Sequence, residues 1–106
     1  MKEKRTAKMH FKIHRSCRNV VSVCDSDILG KRFEEGKMQL DLRENFYKGE
    51  EFEREDIVAA LKRQAFEDST FNIAGKNSVG AAIEAGIITK ENIGKVQGIP
   101  FALALR

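Results

Sequence analysis

Tryptophan is absent from this 106-residue chain, proline occurs once, at Pro100, and cysteine only twice, at Cys17 and Cys24. One proline rules out a proline-rich spacer or a low-complexity linker. Two cysteines rule out a disulfide-stapled scaffold and fit a reducing compartment. They lie seven positions apart on either side of an expected turn, but a chain of this length buries roughly 60–70% of its unfolded surface without a staple, so no bridge is expected. No apolar run approaches the roughly 20 residues of a membrane-spanning helix, and the start, MKEKRTAKMHFK, has no apolar segment to serve as a signal peptide. The expectation is a cytoplasmic protein without membrane association.

What is present is a balance of 42% hydrophobic and 33% charged residues, which places the chain among globular domains. The net charge of +3 hides an asymmetry. Residues 1–18 hold seven Lys/Arg against one Glu, whereas residues 34–56 hold four against nine Asp/Glu. A basic arm beside an acidic middle is the kind of surface that attracts polyanions at one end; dense surface charge for solvation alone is the plainer reading.

Periodicity supplies the elements. Met9, Phe11 and Ile13 alternate with Lys8, His10, Lys12 and His14, which predicts a strand with one buried and one wet face. Val20, Val21, Val23 and Cys24 predict its hairpin partner. A short strand near residues 31–34 and a half-buried strand carrying Met38, Leu40 and Leu42 follow. Residues 44–52 read as a loop with an aromatic pair, Phe46 and Tyr47. A helix is expected over about 54–66, its stripe formed by Ile57, Ala60, Leu61, Gln64 and Ala65. Phe71 and Ile73 mark another strand, and Asn77 or Ser78 is expected to cap a helix that ends at Gly86. Thr89 caps a short turn of helix, and Ile99, Phe101, Leu103 and Leu105 form a closing strand. The reading is α+β: a two-layer α/β sandwich of four to five mostly antiparallel strands with two to three helices, over residues 8–106. Residues 1–7 read as a flexible basic extension.

Four constellations bear on chemistry. Gly75 and Gly80 have the spacing of a phosphate-binding P-loop, but Ala81 and Ala82 stand where its lysine and Ser/Thr belong, and there is no G-x-G-x-x-G. A weaker anion site remains open at the start of the helix, built from Lys76, Asn77, Ser78 and Gly80. The plainer alternative is a helix cap, with small residues allowing close packing. His10, His14, Cys17 and Cys24 are zinc-ligand types, but histidines four apart on a strand stand about 13 Å from each other, so no metal is expected. Asp25 and Asp27 suit a turn better than a cation or acid–base pair. A catalytic Cys24 stays open but unsupported, since its activation needs a cationic neighbour that sequence does not place, and no catalytic motif or cofactor is identified. Lys8, His10, Lys12, His14, Arg15 and Arg18 form the candidate nucleic-acid face, along which cations would track a phosphate backbone. The RNP aromatics of an RRM and the GXXG of a KH domain are missing.

The segments VCDSDILGKRFEEGKMQL, FYKGE and NIAGKNSVGAAIEAGIITKENI, followed by VQGIPFALA, resemble a family of small archaeal proteins catalogued as domain of unknown function 424. The likeness covers residues 8–106 and implies a two-layer α/β sandwich with a link to translation or RNA handling. It also implies a shared surface at its motif positions Asp25, Gly30, Tyr47, Gly49, Asn72 and Gly75. The expected partner is therefore RNA or a ribonucleoprotein, with a small-anion site at residues 75–80 as the alternative.

Overall fold

A computed structural model describes residues 7–105; the expected N-terminal extension lies almost wholly outside them. The element order is β1 (Lys8–His14), β2 (Asn19–Asp25), a 3-10 turn (Ser26–Ile28), β3 (Arg32–Glu35), β4 (Met38–Asp41) and α1 (Glu44–Tyr47). Then follow β5 (Glu50–Glu53), α2 (Arg54–Gln64), β6 (Ser69–Ala74), α3 (Lys76–Glu84), a second 3-10 turn (Lys90–Asn92), β7 (Gly94–Val96) and β8 (Ile99–Leu105). Six strands form one sheet in the order β5-β1-β2-β6-β8-β7, and β3 and β4 form a separate ribbon. Among the described residues only β2 and β6 run parallel; the other pairings are antiparallel.

The α+β class and the antiparallel majority agree with the sequence reading, but the sheet is larger than four or five strands. β5 and β7 account for the difference. β5 is Glu-Glu-Phe-Glu, a composition that argues against a strand, yet it pairs with β1 from Lys8↔Glu53 to Phe11↔Glu50. At an edge, pairing on one side suffices and the carboxylates stay in water. β7 is three residues long and is held by the Gln97–Gly98 turn, where Gln97 has φ 52° and Gly98 φ 78°. A hairpin imposes pairing that three residues alone do not predict.

The sheet has two unequal faces. Met9, Val21, Val23, Phe71, Ile73 and Ala102 point to the side covered by α2 and α3, where Ile57, Val58, Leu61, Val79, Ala81 and Ala82 complete the main core. Val58 belongs to the buried stripe together with Ile57 and Leu61, whereas Ala60 is only half-buried. α2 carries Glu55 and Asp56 in its first turn and Lys62 and Arg63 in its last, which complements the helix dipole at both ends. Across the sheet, Cys24 and Ala74 meet Leu40, Leu42, Tyr47 and Val96 in a second, smaller core. The β3–β4 ribbon and α1 therefore cover only one end of the second face.

Candidate functional site

The side chains expected to face water along β1 instead hold the chain segment that follows β4. His10 is 8% exposed; its Nδ1 lies 2.9 Å from the Gly49 carbonyl oxygen, and its Nε2 lies 3.5 Å from the Glu51 carboxylate. Lys12 Nζ donates to the Asn45 carbonyl at 3.0 Å. His14 Nε2 donates to the Phe46 carbonyl at 2.9 Å, and the Ser22 hydroxyl donates to the same oxygen at 3.0 Å. The His14 ring stacks on Phe46, with centroids 4.5 Å apart and planes inclined by 15°. Three residues at period two thus satisfy the carbonyls of residues 45 and 46, which a four-residue helix cannot satisfy internally, and of residue 49 just beyond it. Lys8, Arg15 and Arg18 remain exposed, with Arg18 paired to Asp68 at 3.1 Å.

Strand register arranges the second face in rows. One row runs Lys12–Ser22–Asn72–Leu103 and the next His14–Val20–Thr70–Leu105. The ribbon does not reach this end. Asn72 and Thr70 are half-buried, and Leu103 and Leu105 are 63% and 71% exposed. Among the described residues, no side-chain hydrogen bond engages the Asn72 amide. A free amide and two leucines therefore adjoin the Lys12, His14 and Phe46 group on one surface, with Arg15 and Arg18 in the turn at its end.

The turn at residues 75–80 is occupied from within the protein. The Asp25 carboxylate, at the end of β2, accepts from the Asn77 amide at 3.0 Å and the Ser78 amide at 2.8 Å. It also accepts from the Ser78 hydroxyl at 2.6 Å and the Asn77 side chain at 3.3 Å. The expected cap by Asn77 or Ser78 is thus corrected: these residues donate, and the acceptor comes from another strand. Gly75 starts the helix at φ 105°, and a Cβ there would fall 2.3 Å from Asp25 Cγ. Gly80 admits the Arg54 guanidinium, which lies 2.9 Å from where its Cβ would stand. The anion reading therefore loses the two backbone amides it relied on. Beside them, a cavity of about 210 Å³ is lined by Asp25, Asp27, Gly75, Lys76 and the Gly98–Pro100 turn. It lies at the carboxyl ends of the parallel pair, where α/β sheets commonly bind ligands, but it is smaller than the roughly 300–1,000 Å³ of most ligand pockets.

Burial, reinforced by Asp25 and Asp27, pushes the Cys24 thiol up to about 12. Burial, with Cys24 and Asp41, likewise raises Tyr47 to about 12. A thiol held protonated at neutral pH is no nucleophile, and Cys24 serves the second core. Cys17 is exposed. Alkylation by iodoacetamide at pH 8 is expected to label one cysteine in the folded protein and both in denaturant, as read by intact mass. The folded state keeps these protons after the unfolded state loses them, so both groups contribute stability that is complete below about pH 9. That stability falls as pH rises towards 12. Rapid labelling of Cys24 at pH 8 would contradict its burial.

The six motif positions do not form one site. Asp25 and Gly75 touch. Tyr47 sits in the second core near Cys24, and Gly49 backs onto the Phe11 carbonyl. Gly30 donates its amide to Leu42 at 2.7 Å, and Asn72 belongs to the open sheet face. Sequence reading did not single out Leu103 and Leu105 as surface residues, because alternation in the closing strand looks the same whether its apolar face is covered or bare. Phe46 stands out in the sequence as one of an aromatic pair with Tyr47, but its stacking on His14 depends on the chain's return over β1.

The fold is similar to the crystal structure of an uncharacterized conserved protein from Methanopyrus kandleri, with a TM-score of 0.83 and 25% sequence identity. That likeness covers 93% of this chain and 91% of the other. No curated protein matches the chain. The model of the family of proteins of unknown function DUF424 matches residues 14–106, from the last residue of β1 onward, and the chain belongs to that family.

Proposed function

We propose that this chain is an RNA-binding module whose contact surface is the uncovered part of the sheet's second face together with the β1–β2 turn. The reading rests on one observation: Lys12 and His14, the latter stacked under Phe46 of α1, stand in adjacent sheet rows with the free Asn72 amide two strands away. Each supplies something single-stranded RNA uses. An aromatic plane stacks on a base, an amide pairs with a base edge, and cations contact phosphates. Arg15 and Arg18, exposed in the adjoining turn, extend the cationic margin. His10 is excluded from contact because it is buried under residue 49. The surface therefore differs from the whole basic strand face: half-buried Lys12 and His14 contribute at the margin of α1, and Phe46 joins them.

A fluorescence-anisotropy titration of the full chain with a labelled mixed-sequence single-stranded RNA at about 50 mM salt tests the proposal, since phosphate contacts are strongest at low salt. Saturable binding is expected. Arg15→Glu with Arg18→Glu should weaken it at least tenfold, each lost contact lowering the logarithmic salt slope by about 0.7. Asn72→Ala should leave that slope unchanged and flatten preference among RNA sequences. Absence of binding at this salt, or affinity indifferent to all three substitutions, overturns the reading.

A further inference from the structure

The sheet has two ends, and they are guarded differently. The outer edge of β5 carries Glu50, Glu51 and Glu53, and charge of this density discourages pairing with another strand. At the other end β7 covers β8 only from Ile99 to Phe101, leaving residues 102–105 beyond it. The direction of their main-chain groups follows from the register. Gly75 donates to the Pro100 carbonyl, so in this antiparallel pair the groups of residues 100, 102 and 104 point towards β6. Those of residues 101, 103 and 105 point away. Phe101 meets Gly94 of β7; among the described residues, Leu103 and Leu105 meet no strand on that side. Among the described residues no strand engages their N–H and C=O groups, and residues 102–105 carry no proline, charge or bulge, although the 3-10 turn Lys90–Asn92 packs against the same strand; their side chains are among the most exposed apolar ones described. A shallow depression of about 400 Å³ lies beside them, against Thr70 and Ala104.

We infer that this edge pairs with the same edge of a second copy, joining two six-stranded sheets across a two-fold axis at Ala104. The occupant follows from self-complementarity. Two outward-pointing residues flank Ala104 symmetrically, so an antiparallel copy sets Leu103 opposite Leu105 twice and closes four main-chain hydrogen bonds. Residues 101–105 read FALAL and contain no charge, so no like charges meet at the axis. Four leucines then lie side by side on the second face, each pair flanked by its own Thr70 and Asn72. Exposed apolar surface that a lone chain leaves in water becomes buried. The inference stands independently of RNA binding.

Sedimentation velocity on the full chain across about 1–200 µM decides it, together with amide hydrogen exchange at both ends of that range. Expected is a concentration-dependent rise from the 12.0 kDa chain to twice that mass. Leu103 and Leu105 amides should exchange at least tenfold more slowly at the high end. Leu103→Lys with Leu105→Lys, at exposed positions, should give a monomer with unchanged circular dichroism. A monomer at every concentration with fast exchange at both amides overturns the inference, including the case in which a foreign strand takes the edge. A dimer in which those amides stay unprotected overturns it as well, since a different surface then makes the contact. Should the double variant fail to fold, exchange in the unaltered chain still decides.

Discussion

Replacing Asp25 with alanine is expected to destabilise the protein by about 3–5 kcal/mol, the cost of removing one member of a buried charged network. Asp25 is 3% exposed and receives two backbone amides and a hydroxyl at 3.0 Å or less. Its position repeats what an N-cap residue does, satisfying the amides of the second and third helical residues. Here, however, the acceptor arrives from β2, more than fifty residues earlier in the chain. The substitution leaves two amides and the Ser78 hydroxyl buried without an acceptor and removes the negative charge at the positive end of α3. It also opens space against Gly75. With unfolding free energies of domains this size near 5–15 kcal/mol, the melting temperature should fall by roughly 10–20 °C. Asp25→Asn retains one acceptor oxygen but turns an N–H group towards other N–H groups, so an intermediate loss is expected. Urea unfolding of the three proteins checks the order. A loss below about 1 kcal/mol for the alanine variant would mean that the helix start finds another partner, and the strand-to-helix cap would not be what holds it.

That cap also shows where sequence reading reached its limit. Alternation between Met9 and His14 was legible because side-chain direction in a strand depends only on local geometry. The helix over 54–66 was legible because its charges and apolar stripe agree. What covers the outward face of β1 depended on residues 43–49, whose return over His10, Lys12 and His14 is a long-range event that leaves no local period. The same holds for Gly75. Its positive φ could be inferred from residue type, whereas the carboxylate filling the space beside it could not. A helix start rich in small residues looks identical whether it awaits a phosphate or already holds an aspartate. Within the candidate surface, Lys12, His14, Arg15, Arg18 and Asn72 were named from sequence. Leu103 and Leu105 became part of it only through register across four strands, and Phe46 only through its stacking on His14.

Gly49→Ala is expected to cost roughly 2–4 kcal/mol, for a reason unrelated to backbone dihedrals. A Cβ at this position would lie 2.3 Å from the Phe11 carbonyl oxygen, 3.0 Å from its carbon and 3.1 Å from Lys12 Cβ. β1 cannot yield, because six registered pairs tie it to β2. The segment around residue 49 must move instead. β5 begins at the next residue, so displacement there pulls Glu50 away from Phe11 and loosens the edge-to-face contact between Phe52 and Phe11, now 6.3 Å between centroids. It also lengthens the contact between His10 Nδ1 and the Gly49 carbonyl. Overpacking alone accounts for about 1–3 kcal/mol, and the strained hydrogen bonds add about 0.5–1.5 kcal/mol. Gly36→Ala provides the contrast: φ is +60° there and nothing lies within 4 Å, so only the left-handed penalty of about 1 kcal/mol applies. Equal losses from the two substitutions would show that residues 43–49 are not pressed against β1. A larger loss at Gly49, accompanied by shifted His10 and His14 ring resonances, follows if that segment is clamped there. Since the same clamp places Phe46 over His14, the variant should also weaken RNA binding while every proposed contact residue remains in the chain.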